Sequence, residues 1–180
     1  MSSSSSIMAE QGRKGKRILV AVDNSDESTY ALSWFLANFI SGNPSSISND
    51  TIILLYAKPR PGVYTAMDGT GYSFSSDIMA TTEMYNDGLA GSVMEKGMAI
   101  CGEFGGVKVE TMVEGGDAKD VICRMAKKLG PDLLVMGSHG YGRIKRALLG
   151  SVSHHCAQNV ECPVLVVKKP KSSLSTADGH

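Results

Sequence analysis

Four small residues in the second half of the chain have the spacing of a phosphate-binding loop. Gly137, Gly140, Gly150 and Ser151 follow a short apolar segment, and a helical pattern begins near the last of them. Glycines adopt conformations closed to other residues and let a ligand approach the main chain. The first amides of a helix lack intrahelical partners and attract anions. Since the hydroxyls of Ser151 and Ser153 can donate to a phosphate oxygen, we expect an anion site here.

The connection between that apolar segment and the helix is about thirteen residues long, whereas strand-to-helix loops usually have about 2–6. Arg143, Lys145 and Arg146 place positive charge in it, and His139 either donates to a phosphate or points to water. A flexible loop followed by a serine helix cap is the alternative. Neither Gly-x4-Gly-Lys-[Ser/Thr] nor a Gly-x-Gly-x-x-Gly after the first strand occurs, which excludes a P-loop lysine and the usual dinucleotide turn.

Apolar segments alternate with helical patterns along the chain. Mostly continuous apolar strands are typical of a parallel sheet covered on both faces, so we predict an α/β fold, a doubly wound five-stranded parallel sheet with helices on both faces. Such a sheet binds ligands beyond the carboxyl ends of its strands, where the winding reverses. The predicted strands are 17–23, 51–57, 107–113, 132–137 and 163–167, and the predicted helices begin near 25, 76, 117 and 151.

Size and charge limit the classes of protein. The chain has 180 residues, with 18 Lys and Arg against 18 Asp and Glu. A neutral chain is a poor partner for nucleic acid, which is bound through surplus positive charge, and no apolar run approaches the ~20 residues of a membrane helix. We expect one soluble domain at 16–169, between disordered tails at 1–15 and 170–180.

Cysteine usage indicates the compartment. Cys101, Cys123, Cys156 and Cys162 lack C-x-x-C spacing and lie in helix or strand patterns, so we interpret them as small buried residues, with a disulfide or zinc set as the alternative. The polar segment 2–6 does not resemble a signal peptide. Reduced thiols and no export signal favour the cytoplasm or the nucleus.

The sequence as a whole resembles the universal stress protein family. The pattern G-x2-G-x9-G-[S/T] is met by Gly137, Gly140, Gly150 and Ser151, within the phrases Leu-Val-Met-Gly-Ser-His-Gly and Leu-Leu-Gly-Ser-Val. The opening Ile-Leu-Val-Ala-Val-Asp-Asn-Ser, the phrase Ile-Leu-Leu-Tyr-Ala and the closing Cys-Pro-Val-Leu-Val-Val-Lys also fit. The resemblance covers about 15–169 and is greatest to plant single-domain members.

The resemblance implies an adenine nucleotide alpha hydrolase-like sheet of order 3-2-1-4-5 that binds ATP, ADP or AMP. It places Asp23 beside the ribose or a phosphate-bound Mg²⁺, and the Ala57 backbone at the adenine edge. Met136 and Gly137 would line the ribose. Members more often carry His where this chain has Tyr56, a small departure because the adenine contact is through backbone. The phosphates would be held by Gly140, Gly150, Ser151 and Val152.

In this strand order the fifth strand is an apolar edge, and exposed edges of that kind pair with another strand. As in family members, we expect a homodimer through the strand at 163–168. The Gly-rich stretch 62–75 is interpreted as a flap over the nucleotide. His154 and His155 lie about 100° apart on a helix, which argues against a shared metal.

Three functions fit these residues. The first is a nucleotide-binding stress sensor whose occupancy biases a dimer or the surface for an unknown protein partner. The second is a slow ATPase or another nucleotide-dependent enzyme, although the sequence offers no general base opposite a γ-phosphate. The third is a chaperone-like structural dimer. We expect the first, with no catalytic residues, no nucleic acid and no membrane.

Overall fold

A computed structural model describes residues 15–40, 50–60, 76–105, 107–138 and 149–170. Within these ranges the strands form one parallel sheet of order β3-β2-β1-β4-β5, which confirms the predicted fold class and strand order. The elements are β1 Arg17–Ala21, α1 Asp26–Phe35, β2 Thr51–Lys58, α2 Ser76–Glu103, β3 Lys108–Gly115, α3 Ala118–Leu129, β4 Leu133–Gly137, α4 Ser151–Asn159 and β5 Val164–Val167.

Alternate residues of each central strand belong to two separate cores. Ile18 and Val20 of β1 pack with α1 and α2, whereas Leu19, between them, packs with α3 and α4. All three side chains are buried, because a parallel sheet with helices on both faces shields both sides of its inner strands. The edge strand β3 does not have the single exposed face that its alternating sequence predicts: Val109 and Met112 pack against opposite cores, and Val113 is 44% exposed.

Local sequence signals determine most helix ends. The Ser25 hydroxyl accepts from the Ser28 amide at the start of α1, and the Asp117 carboxylate accepts from the Lys119 amide at the start of α3. Gly130 ends α3 with a left-handed φ of 54°, the conformation that favours glycine at this position. The sequence indicates Ser25 or Asp26 as the first of these caps, Asp117 as the second and Gly130, before Pro131, as the helix stop.

The spacing of Ala31, Trp34, Phe35 and Phe39 predicts a first helix that buries all four on one side and ends near Gly42 and Pro44, and the structure differs at its end. A π-helical turn, Leu36–Ile40, follows α1 and widens the helical repeat. Phe39 is therefore 54% exposed instead of buried. Its ring still stacks on that of Phe35, with 5.2 Å between the ring centroids. The strand β1 also ends at Ala21, two residues earlier than predicted.

Four free cysteines lie within the described ranges, Cys101 and Cys156 buried and the other two half-buried. No cluster of metal-ligating side chains occurs among the described residues. None of the described helices combines the length and the apolar composition needed to cross a membrane. The expected tails lie outside the described residues except for residues 15 and 170, and the expected flap at 62–75 lies outside them entirely.

Candidate functional site

A cleft of about 190 Å³ opens at the carboxyl edge of the sheet. Its walls come from the ends of β1, β2 and β4 and from the first turns of α3 and α4. This edge is where β1 and β4 lie side by side and the winding reverses. The predicted site residues that line the cleft are Asp23, Ala57, Met136, Gly137, Gly150, Ser151, Val152 and Ser153.

The two other predicted site residues, His139 and Gly140, lie outside the described residues, as do Arg143, Lys145 and Arg146. Sequence reasoning missed several lining residues. Those that were not predicted are Ala21, Val22, Ser28, Leu55, Ala118 and Ile122. Ala118 and Ile122 follow the end of β3, so the rule that selects positions after each strand could have found the first of them.

The amino end of α4 presents amides that no described group accepts from. Gly150 is its N-cap, with an extended φ of −67° and no side-chain capping bond. The first amide paired inside the helix is that of His154, which donates to the Gly150 carbonyl at 2.9 Å. No described group accepts from the amides of Ser151, Val152 or Ser153. With the helix dipole, these donors form a site for an anion.

The side chain of Ser153 holds this amino end in place. Its hydroxyl lies 3.0 Å from the carbonyl oxygens of both Ser138 and Gly150. The Gly150 amide also donates to the Ser138 carbonyl, at 2.6 Å. Ser153 is 2% exposed, and its one proton is directed at these carbonyls. The Ser153 hydroxyl is thus bonded to two backbone carbonyls, whereas Ser151 is exposed.

Asp23 lies in a network of hydrogen bonds with the first turn of α1. Its Oδ1 accepts from the Ser25 amide at 2.9 Å and from the Ser25 hydroxyl, while its own amide donates to the Ser28 hydroxyl at 2.9 Å. Ser25, not Asp23, caps α1. No described group donates to Oδ2 of Asp23, so this oxygen is available for a ligand at the cleft.

The backbone of Ala57 is open toward the cleft. The Leu55 carbonyl points toward β1 and accepts from the Val22 amide at 2.9 Å. Backbone groups two residues apart in a strand point the same way, so the N–H and C=O of Ala57 face the same side, past the end of β1. No described group pairs with them. One donor and one acceptor at the cleft thus have no partner among the described residues. Met136, which is 4% exposed, also lines the cleft.

Gly137 is expected to provide an unusual backbone conformation or room for a ligand, but the structure shows a different need for glycine there. Its backbone has no left-handed φ, and a Cβ there would lie 3.1 Å from the Glu27 carbonyl carbon and oxygen and 3.2 Å from the Ser28 nitrogen. The close approach is therefore between β4 and the backbone of α1. Gly137 brings the first turn of α1, with Ser28, against the cleft.

Tyr56 faces away from the cleft. Its side chain is 5% exposed and packs in the core between the sheet and the helices α1 and α2. Burial, followed by the negative charge of Asp23, raises the pKa of Tyr56 above its ordinary value of 10.0. The departure from histidine at this position therefore leaves the lining of the cleft unchanged.

Comparison with known proteins identifies the family. Residues 15–168 match the sequence profile of the universal stress protein family. The chain is 31% identical over 174 residues to a universal stress protein A-like protein of Arabidopsis thaliana, covering 88% of this chain and 93% of that relative. A solved structure of an Arabidopsis thaliana protein of the family, with AMP bound, is 25% identical with a TM-score of 0.59, covering 91% of this chain and 97% of that chain.

The fold is also that of the universal stress protein UspA from Lactobacillus plantarum, at 20% identity and a TM-score of 0.64, covering 87% of this chain and 99% of the other. Sequence and structure therefore agree on one assignment: this chain belongs to the universal stress protein family.

Proposed function

We propose that the cleft binds an adenine nucleotide, ATP or its di- or monophosphate. The observation that carries this proposal is the row of amides at Ser151, Val152 and Ser153, which lines the cleft with no capping side chain and no partner among the described residues. An anionic phosphate is the ligand that such a helix end favours. The AMP bound to the Arabidopsis thaliana relative supports the same class of ligand.

The other end of the cleft suits adenine and ribose. Ala57 offers one backbone donor and one acceptor, the pair of groups that a purine edge needs, and Met136 and Ile122 supply apolar surface. Oδ2 of Asp23 can accept from a ribose hydroxyl. A single carboxylate together with phosphates also suits Mg²⁺, so Asp23 is the residue that would hold the metal of MgATP.

Binding rather than turnover is the proposed activity. Among the described lining residues Asp23 is the one carboxylate, and its Oδ1 is already held by Ser25. A phosphoryl-transfer enzyme needs a group that positions or deprotonates the attacking nucleophile. We therefore propose a stress sensor whose nucleotide occupancy acts on a dimer or on a partner protein, in the cytoplasm or the nucleus.

The proposed dimer forms through β5. The carbonyls of Pro163 and Val167 accept from β4, both at 2.9 Å, so the alternate residues Val164 and Val166 direct their backbone groups to the outer edge. No further strand lies beside β5 in the described sheet. An uncharged edge of this kind pairs with a second copy about a two-fold axis.

Titration calorimetry of the full-length protein tests the nucleotide proposal. We expect ATP to bind with one site per chain, and GTP, whose base edge differs, to bind more weakly. Phosphate release is followed in the same sample, and binding without turnover supports the sensor. Absence of ATP binding at millimolar concentration would contradict the proposal and leave a chaperone-like dimer, whereas steady release of phosphate would favour a slow ATPase.

A further inference from the structure

Two thiols meet between the helices that form one wall of the cleft. Cys123 of α3 packs against the core cluster that contains Cys156 of α4, and as a neighbouring group it contributes to the raised pKa of the Cys156 thiol. Both side chains belong to the core cluster between the sheet and these two helices. Cys156 is 0% exposed, whereas Cys123 is half-buried. The half-buried Cys123 is thus the thiol that a small reagent can reach, and the shielded Cys156 is its neighbour in the same cluster.

The pair lies directly behind residues of the cleft. Cys123 follows Ile122, and Cys156 lies one helical turn after Val152, on the same face of α4. Ile122 and Val152 both line the cleft. A covalent bond between the two sulfurs would therefore join the two helices immediately behind the residues that enclose a ligand.

We propose that Cys123 and Cys156 form a peroxide-sensitive dithiol that closes to an intramolecular disulfide. The oxidant is hydrogen peroxide. The Cys123 thiolate attacks one peroxide oxygen and the O–O bond breaks, which gives a sulfenic acid and, after protonation of the leaving hydroxide, water. The Cys156 sulfur then attacks the Cys123 sulfur, the S–O bond breaks, and the Cys156 proton leaves with the hydroxyl as a second water.

The environment assigns different roles to the two sulfurs. Burial, and then the neighbouring Cys123, raise the pKa of the Cys156 thiol to about 12. A thiol that stays protonated reacts slowly with peroxide, because the thiolate is the nucleophile. Cys123, which is accessible, is the first to react, and Cys156 is the neighbouring thiol that resolves it.

The two remaining cysteines serve as controls. Cys101 packs in the core on the opposite face of the sheet, where burial raises the pKa of its thiol to about 11. Cys162 is half-buried on the same face as the pair. Cys162 therefore matches Cys123 in exposure. Neither Cys123 nor Cys156 is among the groups that shift the pKa of Cys162, so Cys162 controls for exposure alone.

The test treats the reduced full-length protein with hydrogen peroxide, alkylates the remaining thiols and maps the peptides by mass spectrometry. We expect one dithiothreitol-reversible cross-link between the Cys123 and Cys156 peptides, within a single chain. Cys162→Ser should form it as the wild type does, and Cys123→Ser should not. Cys156→Ser removes the resolving thiol, so Cys123 should remain as the sulfenic or a higher acid. If the serine variant does not fold, Cys156→Ala is used in its place, with the same expected result.

Recovery of both thiols alkylated after peroxide treatment would overturn the proposal, as would a dominant cross-link to Cys162 or between chains. A second measurement compares the oxidised and reduced wild type by thermal unfolding. The midpoint should rise on oxidation, because the cross-link restricts the unfolded chain, and should not rise in Cys123→Ser. A fall in the oxidised wild type would show that the contact does not fit a disulfide. Neither measurement uses nucleotide, so the inference and the proposed function fail or succeed separately.

Discussion

The hydroxyl of Ser153 lies 3.0 Å from the carbonyl oxygen of Ser138, at opposite ends of the long connection between β4 and α4. The same carbonyl accepts from the Gly150 amide at 2.6 Å. The Ser138 amide in turn donates to the Val167 carbonyl of β5 at 2.9 Å. The amino end of α4 is thus tied to the sheet edge at which the phosphates are expected.

Removal of the Ser153 hydroxyl should weaken the binding of phosphates selectively. One lost hydrogen bond corresponds to a loss of up to about tenfold in ATP affinity, because the amides of α4 are less firmly held. Adenosine, which has no phosphate, should bind Ser153→Ala as it binds the wild type, and Ser153→Thr should restore ATP affinity. Calorimetry measures the affinities of the wild type, Ser153→Ala and Ser153→Thr for ATP and for adenosine. An equal loss of affinity for adenosine and ATP in Ser153→Ala would contradict the positioning role.

Bulk at Gly150 should block the phosphates without disturbing the fold. The φ of −67° and ψ of 159° suit a β-branched residue, so Gly150→Val should keep its circular dichroism spectrum. Loss of two charged hydrogen bonds weakens ATP binding by at least ~100-fold. Gly91→Ala, on an exposed part of α2 with nothing within 4 Å of the new Cβ, is the control. A change of only a few-fold in Gly150→Val would show that the phosphates bind elsewhere.

Asp23→Asn distinguishes two roles for the carboxylate. The amide oxygen of Asn can still accept from Ser25, so the turn into α1 should persist. Affinities for adenosine and for MgATP are compared with those of the wild type. A loss of roughly tenfold for both ligands indicates a ribose contact, and a loss for MgATP alone indicates the metal. If neither affinity changed, Asp23 would not belong to the binding site.

Gly137→Ala should destabilise the protein. The new Cβ would lie 3.1 Å from the Glu27 carbonyl and 3.2 Å from the Ser28 amide nitrogen, and backbone atoms cannot move as a flexible side chain can. We expect a loss of about 1–3 kcal/mol in the free energy of unfolding, measured with urea. Gly91→Ala, in a helix interior with open space, should instead gain about 0.4–1 kcal/mol. An unchanged midpoint for Gly137→Ala would contradict the close approach of α1 to β4.

A proline in β5 tests the proposed dimer. Val166→Pro removes an amide that faces the outer edge and leaves the hydrogen bonds from β4 to Pro163 and Val167 in place. Light scattering should show a dimer for the wild type and for Val166→Ala, and a monomer for Val166→Pro. A monomeric wild type at micromolar concentration would exclude the dimer.

The sequence predicts what depends on local patterns. Continuous apolar strands indicate the buried sheet, and Ser25, Asp117 and Gly130 mark helix ends because capping involves residues only a few positions apart. The strand order was implied by the family resemblance, and the structure confirms it.

The errors come from contacts between distant parts of the chain. Glycine at 137 reflects the backbone of Glu27, a contact across more than one hundred positions. Ser153 resembles a phosphate ligand in sequence, and only the folded structure shows that its hydroxyl bonds the carbonyls of Ser138 and Gly150. Phe39 has the spacing of an α-helix, but it lies within the π-helical turn Leu36–Ile40, where the number of residues per turn changes. None of these features leaves a signal in the residue pattern.

The most direct test of the central claim is a crystal structure of the protein grown with ATP. We predict phosphate oxygens within hydrogen-bonding distance of the amide nitrogens of Ser151 and Val152, and the adenine edge on the backbone of Ala57. A nucleotide bound elsewhere, or a cleft without nucleotide at saturating ATP, would contradict the account.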